Sequence, residues 1–325
     1  MRVVALGAAA LVLAGCGSKQ DALAAHSSAA HGISSLWWNM LIGSSLAFGI
    51  VACVLGMAWI RRRRPGVPGV RDGDRVAWGV VLGLGIAVPI LTISALFFYS
   101  DIFLIRQTGV PTANAAPADR VKLKVRVIGH QFWWEIRYPG TPVVTANELH
   151  IPVRTNVEVL LSTRDVIHSL WVPELNKKTD LIPDQVNTLL LYADKPGRYR
   201  GQCAEFCGLQ HAHMGIYVFA QPAAAFHRWL AAQARPATRA SALFDAKCGS
   251  CHQIRGTPAG SHVGPDLTHV GSRSSLAALT IANSPARMRE WIHDPQRVKP
   301  GSAMPAVPLT NVQVNELASY LEGLR

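Results

Sequence analysis

Charged side chains are scarce here: they make up 16% of the 325 residues, against about a quarter in an ordinary soluble domain. Acidic residues are the scarcer sign, 20 against 32 lysines and arginines, for a net charge of +12. Cysteine is also rare, six in the chain, which excludes a disulfide-stapled scaffold. The sequence lacks the compositional biases of disordered and collagen-like chains. What it has in excess is apolar surface: 49% of the residues are hydrophobic. The length suits about two soluble domains, but the apolar excess lies near the N-terminus, so a membrane segment is expected besides.

Arg2, the short apolar run Val3 to Leu13 and the small residues after it read as a secretory signal over residues 1–15, too short to span a bilayer. The run ends Leu13-Ala14-Gly15-Cys16, the pattern of a bacterial lipobox, so Cys16 is the expected lipidation site; an ordinary signal peptide is the alternative. Gly17 to Gly32 is polar, Ala/Ser-rich and reads as a tether without core. Two uncharged apolar runs follow, Ile33 to Ile60 and Trp78 to Tyr99. Each exceeds the roughly 20 residues that cross a hydrocarbon core, and together they predict a transmembrane hairpin over residues 33–100. Arg61, Arg62, Arg63, Arg64, Arg71 and Arg75 crowd the connection, which places it in the cytoplasm and both hairpin ends outside. That loop is a topology signal and not a nucleic-acid footprint. Cys53, inside the first run, is read as a packing residue.

From Val121 the pattern alternates: Val121, Leu123, Val125 and Val127 against Lys122, Lys124 and Arg126. This period of two, with further strand-like runs at Val157 to Leu161, Thr188 to Tyr192 and Met214 to Ala220, predicts an antiparallel sandwich or barrel. Its chemistry lies in Cys203-Ala-Glu205-Phe-Cys207-Gly-Leu-Gln-His211-Ala-His-Met214, with His168 upstream. Thiolate, imidazole and thioether together favour copper over magnesium or calcium. Zinc has little use for the thioether, and a mononuclear copper site needs only one cysteine. Two cysteines four apart on one loop can place both sulfurs between two metal ions, which suits electron transfer. A structural disulfide between Cys203 and Cys207 is the alternative, but it leaves His168, His211 and Met214 without a role.

This segment resembles subunit II of haem-copper cytochrome c oxidases, whose copper A loop reads Cys-x-Glu-x-Cys-x-x-x-His-x-x-Met. The resemblance implies that Cys203 and Cys207 bridge two coppers, that His168 and His211 each ligate one, and that Met214 and the Glu205 carbonyl are the weak axial ligands. It implies also that the Glu205 side chain contacts a magnesium site shared with subunit I. His213 matches no ligand position and is expected beside the ligands or exposed. The likeness extends through Gly129-His130-Gln131-Phe132-Trp133-Trp134-Glu135. Mitochondrial-type relatives have His-Gln-Trp-Tyr-Trp there, and the first Trp takes electrons from soluble cytochrome c. Here that position is Phe132, with Trp133 and Trp134 as substitutes for accepting electrons; core packing is the alternative for each ring. The proton-channel Glu of such relatives has no match in register, and Asp72 and Asp74 do not replace it.

Residues 226–240 read as a linker. After it, Cys248-Gly-Ser-Cys251-His252 is the attachment signature of a c-type haem, two thiols for the vinyl groups and an adjacent histidine for the iron. Met304, in Lys299-Pro-Gly-Ser-Ala-Met304-Pro305, is the expected sixth ligand, and its competitor Met288 reads as core. A redox dithiol at Cys248 and Cys251 would need a βαβ context that the sequence lacks. Thr310 to Leu324 reads as a closing helix with Val312, Leu317, Tyr320, Leu321 and Leu324 as its apolar face. His262, His269 and His293 are expected to be solvated.

The expected architecture is thus multidomain: a two-helix transmembrane hairpin, an all-β cupredoxin-like sandwich over 119–225, and an all-α class I cytochrome c domain over 241–325. The order is similar to the fused subunit II of caa-type oxidases. The resemblance implies a redox relay with two copper ions and one covalent haem c, taking electrons from a cytochrome c or a quinol–cytochrome c reductase. Its partners would be subunit I, which holds the oxygen-reduction site of the proton-translocating complex, and subunit III. It would lie in a bacterial inner membrane, with both soluble domains on the periplasmic side. A copper A nitric oxide reductase relay and a copper-binding assembly protein are the alternatives. The copper domain lacks an acidic excess that would steer a basic soluble cytochrome c, which favours the fused haem domain as its donor.

Overall fold

A computed structural model describes residues 20–62, 78–110 and 120–325. The leader, Cys16 and most of the arginine-rich connection, with Asp72 and Asp74, lie outside the described residues. The chain divides into two compact units, residues 31–109 and the remainder.

The smaller unit is helical. One helix, Ser28–Arg62, is apolar on every side, and Leu46, Phe48, Ile50 and Leu55 stand exposed on it, as does Cys53. At 35 residues it is about 50 Å long. The second is built around Val88–Tyr99, with π-helical turns at Val81–Ala87 and Ser100–Leu104. The first of these widened turns ends two residues before Pro89, whose ring cannot accommodate the carbonyl four residues back. Both helices are long and apolar enough to cross a membrane, and neither has the polar stripe of a helix packed on a soluble core.

The larger unit begins with the described part of the expected tether, which is not free. His26 exchanges backbone bonds with Glu174 and Asp194, Ser27 Oγ donates to the Leu175 carbonyl, and Ser27, Ala29 and Ala30 are buried. Ten strands then form two five-stranded sheets. The first is ordered β3 (Val144–Ala146), β2 (Trp133–Arg137), β1 (Leu123–His130), β5 (Val157–Thr163), β8 (Asn187–Leu191). The second is β4 (Glu148–Pro152), β10 (Gly215–Gln221), β9 (Gly197–Cys203), β6 (His168–Trp171), β7 (Thr179–Leu181). The sheets are mixed rather than antiparallel throughout: β1 runs parallel to β5, and β10 to β4. Parallel neighbours need a long crossover, and β2 to β4 supply it for the first pair. Between the sheets Trp134, Ile136, Leu149, Ile151, Leu161 and Leu170 are fully buried.

The expected linker over 226–240 is shorter in the structure. Ala223–Ala234 is a helix whose Phe226 is buried in the sandwich core and whose Trp229 stacks on His150 at 3.9 Å and 9°. Its apolar residues recur at helical spacing, which the Ala-rich composition concealed. Beyond it a second core gathers Phe244, Ile254, Val270, Met288, Ile292 and Leu317 from short helices and the loops between them. The closing helix is Asn311–Glu322, capped by Thr310 and Gln313 in a reciprocal capping box. Its inward face is Val314, Leu317, Ala318 and Leu321, spaced i, i+3, i+4, i+7. Val312 falls outside that stripe and is 75% exposed. His262 and His293 are exposed, but His269 is buried, with Nε2 2.9 Å from the Arg235 carbonyl.

Candidate metal centre

Two neighbouring strands of one sheet supply the frame. His168 opens β6 and Cys203 closes β9, and Leu170 pairs with Cys203 across the ladder. The chain then makes a tight excursion before β10. Its neck is closed by Cys203 N donating to the Met214 carbonyl at 2.9 Å and Ala204 N to the Ser169 carbonyl at 2.8 Å. One 3₁₀ turn, His211–His213, returns Met214 beside Cys203.

This folding gathers the sulfur and imidazole groups. Cys203 and Cys207 are free thiols with their Sγ atoms 3.9 Å apart, so the disulfide alternative does not hold. His168 Nδ1 lies 3.8 Å from Cys203 Sγ, and His211 Nδ1 lies 3.7 Å from Cys207 Sγ. Met214 Sδ is 3.9 Å from Cys207 Sγ, and the Glu205 carbonyl is 3.2 Å from Cys203 Sγ. Ligand atoms of His168, Cys203 and Cys207 all fall within 4.8 Å of one another. Cys203, Cys207, Met214 and His168 are buried, while His211 is half-buried. The Glu205 side chain turns outward to Lys178 at 3.4 Å. His213 is exposed, with Nδ1 2.7 Å from Gln210 Oε1.

The contact with the Cys207 thiol, and beyond it that with His168, pulls the Cys203 pKa well down despite burial. The same sulfur contact pushes Cys207 up. His168 Nε2 is 2.8 Å from Asp165 Oδ1. Burial alone would raise the Asp165 pKa, but His168 and the N–H groups of Gln131 and Val166 lower it. An ionised Asp165 can only accept, so it holds the proton on Nε2 and leaves the Nδ1 lone pair toward the sulfurs. The donor set, two thiols, two imidazoles and a thioether with a carbonyl, fits a copper pair.

Three neighbours of this centre were not singled out from the sequence. Gly129 leaves room for the His168 ring: a Cβ there would stand 2.7 Å from Cδ2. Asp165 orients that ring. Gln131 Nε2 donates to the Cys207 carbonyl at 2.6 Å and would stand 3.1 Å from a Cβ at Gly208, whose φ of +126° no side chain adopts easily. Only the proximity of Asp165 to His168 in the chain was a signal.

The haem signature lines an apolar cavity. Cys248, Cys251, His252 and Met304 all border it, together with Gln131 and Phe132 from the sandwich. His252 Nδ1 is 2.8 Å from the Pro265 carbonyl. A carbonyl only accepts, so Nδ1 carries the proton and Nε2 is free to bind a metal. Burial lowers the His252 pKa, and burial raises the Cys248 thiol to about 11. Gly264 is needed where it stands, since a Cβ would lie 2.7 Å from His252 Cε1. This arrangement fits a covalent haem. Met288 is buried in the core beside the same cavity.

Of the aromatic trio proposed to accept electrons, Phe132 and Trp134 are buried and Trp133 is half-buried. Phe132 and Trp133 border the haem cavity, and Phe132 is 7% exposed. Trp133 stacks on His130 at 4.3 Å. Trp134 is fully buried, its Nε1 donating to the Met214 carbonyl at 3.3 Å. A soluble donor cannot reach Trp134, and Phe132 faces the C-terminal domain.

Comparison with known proteins is consistent across the chain. A family model described as the periplasmic domain of cytochrome c oxidase subunit II matches residues 141–221, and one described as cytochrome c matches 237–325. The chain is 32% identical over 305 residues to cytochrome c oxidase subunit 2 of Alkalihalophilus pseudofirmus, covering 88% of this chain and 84% of the relative. It is 28% identical over 258 residues to the protein of that name from Bacillus sp. PS3, covering 73% and 72%. A crystal structure of the periplasmic domain of subunit II of cytochrome oxidase of Bradyrhizobium japonicum aligns at 27% identity. It covers 38% of this chain and 95% of that one, with a TM-score of 0.34.

Proposed function

This chain belongs to the cytochrome c oxidase subunit II family and carries a cytochrome c domain at its C-terminus, and from that premise we propose that it relays electrons through two centres in series. Membership makes it an electron-transfer subunit of a haem-copper oxidase complex, associated with other oxidase subunits. It is a membrane protein with two spans, and its domains imply copper A and haem c. The finer reading is that Cys248 and Cys251 attach the haem, with His252 and Met304 on its iron. Cys203, Cys207, His168, His211, Met214 and the Glu205 carbonyl would hold the copper pair. With both groups bound, the two sites would pass electrons from an external donor through the C-terminal domain and the sandwich to subunit I, where oxygen is reduced.

Convergence of the two thiols with His168, His211 and Met214 on one buried point carries this reading. Bound there, a thiolate-bridged copper pair supplies a one-electron couple with little change in geometry, and a haem with a methionine ligand supplies a high-potential one. The chain's own residues do the rest. Asp165 fixes the tautomer and orientation of His168, and Pro265 does the same for His252. Burial of the sulfurs excludes water. Gln131, at the haem cavity, bonds the Cys207 carbonyl and so connects the wall of one site to the backbone of the other. The arginines between the two spans support an outer location for both domains.

Electron paramagnetic resonance of the purified complex tests the copper assignment: hyperfine splitting by two equivalent nuclei is expected. Cys203→Ser is expected to abolish that signal and leave the pyridine haemochrome intact, and His252→Ala to disturb the haem and leave the copper. A wild-type spectrum from a single copper would overturn the reading.

A further inference from the structure

Lys299 is a lysine with only 2% of its surface exposed. Its Nζ lies 2.8 Å from the Phe132 carbonyl, 2.8 Å from the His213 carbonyl and 2.9 Å from the Ala277 carbonyl. An ammonium has three N–H donors and no acceptor, so these three carbonyls use it completely. Burial lowers its pKa toward about 7, while three matched acceptors favour the charged form. Two of the carbonyls belong to the sandwich and the third to the C-terminal domain. Phe132 follows Gln131, which bonds Cys207, and His213 precedes Met214. One side chain thus ties the β1–β2 turn, which touches the sulfur loop, and the sulfur loop itself to the segment that leads to Met304.

The surrounding contacts are of the same kind. Ala277, Ala278 and Leu279 are three successive residues with φ of 52°, 56° and 66°, a left-handed turn that alanine and leucine adopt only when held. It is held here from both sides: the Ala277 carbonyl takes Lys299, and the Ala278 carbonyl takes the Gly215 N–H at 3.2 Å. Gly215 allows this close approach: a Cβ there would stand only 3.1 Å from Leu279 Cβ. Nearby, the buried Glu148 carboxylate of the sandwich accepts from Ser274 N at 2.7 Å and Ser274 Oγ at 2.6 Å. Each domain therefore buries one ionisable side chain against polar groups of the other. Burying such groups is costly unless every bond is made, and transient electron-transfer encounters use small, wet surfaces instead.

We propose that Lys299 is a positioning residue for the step between the two centres: it holds the C-terminal domain on the sandwich in one register, so that electrons cross a permanent interface and not one formed by encounters of a tethered domain. This rests on the relay proposed above. Only an electron crosses, oxidising the donor and reducing the acceptor by one equivalent, with no proton taken from Lys299. Each bond to a charged donor is worth on the order of tenfold to a hundredfold in the docked-to-undocked equilibrium.

Two measurements test it. In the wild-type chain, acylation by a lysine reagent should modify the exposed Lys124 and Lys178 and spare Lys299; modification of Lys299 at their rate overturns the proposal without any variant. In Lys299→Met, which keeps the apolar stem, hydrogen exchange at the Gly215 and Ser274 amides should speed up by about tenfold or more, and protease should cut within 235–241. In the loaded complex the transfer from reduced haem c to copper should slow by a similar factor, with both resting spectra unchanged. Exchange and transfer as in the wild type would overturn the proposal. Lys299→Arg, which retains donors and charge, should stay closer to wild type in both readouts. If wild-type haem c fails to reduce the copper at all, the relay itself is wrong and not the role of Lys299.

Discussion

Gly129→Ala is expected to damage the copper site although it adds one methyl group to a strand. In an unstrained strand the exchange would gain about 0.4–1 kcal/mol through the unfolded chain. Here the new Cβ would lie 2.7 Å from His168 Cδ2, 3.1 Å from Cγ and 3.3 Å from Leu181 Cδ2. Carbon atoms rest at about 3.5–4.0 Å, so the ring must retreat by roughly 1 Å. It has nowhere to go unchanged: it is fully buried, its Nε2 is 2.8 Å from Asp165, and its Nδ1 faces Cys203 at 3.8 Å. Retreat lengthens one of those contacts. Overpacking of this kind costs about 1–3 kcal/mol, and disturbing the orientation of a ligating histidine typically costs about 10–100-fold in metal affinity. The denaturant midpoint of the copper-free chain reads the first, and copper titration against a competing chelator the second. A variant at least as stable as wild type, with unchanged copper affinity, would refute the claim that Gly129 makes room for His168.

Gly264→Ala makes the parallel prediction for the other site: its Cβ would stand 2.9 Å from His252 Nδ1, displacing the bond to Pro265. Haem incorporation, read as pyridine haemochrome, should fall while the copper resonance stays. For pH, burial lowers the His150 pKa from 6.5 to about 4. Between those values the unfolded chain binds a proton that the folded chain does not, so stability should fall as pH drops through that window, by up to about 3 kcal/mol. His150→Gln should flatten that dependence in urea midpoints taken at either end; an equally steep profile would remove His150 as its source.

Much of this was open to reading along the chain. The Cys203 to Met214 spacing and the Cys248 to His252 signature are local, because each site draws most of its donors from one short loop. Two uncharged runs closed by arginines needed no partner to be interpreted. What failed to be legible was of another kind. Residues 226–240 looked like a linker because alanine hides an amphipathic helix whose few large residues, Phe226 and Trp229, dock on the sandwich. Residues up to Ala30 looked like a tether because Ser27, Ala29 and Ala30 are too small to signal burial. Val312 looked inward until the cap at Thr310 set the phase of the helix to Val314.

By itself the sequence determined two apolar runs long enough to cross a membrane, the two cysteine-containing loops and the chemistry their side chains can offer, since hydropathy, charge and residue spacing act over a few neighbouring residues. Tertiary structure decided what surrounds those donors: Gly129 beneath His168, Asp165 and Pro265 on the far nitrogens of two histidines, and Phe132 turned toward the haem cavity. It alone decided that Lys299 reaches Phe132 and His213 across 167 and 86 residues of chain. No periodicity or motif records such a bond, because its strength comes from burial between two domains and not from any pattern within one.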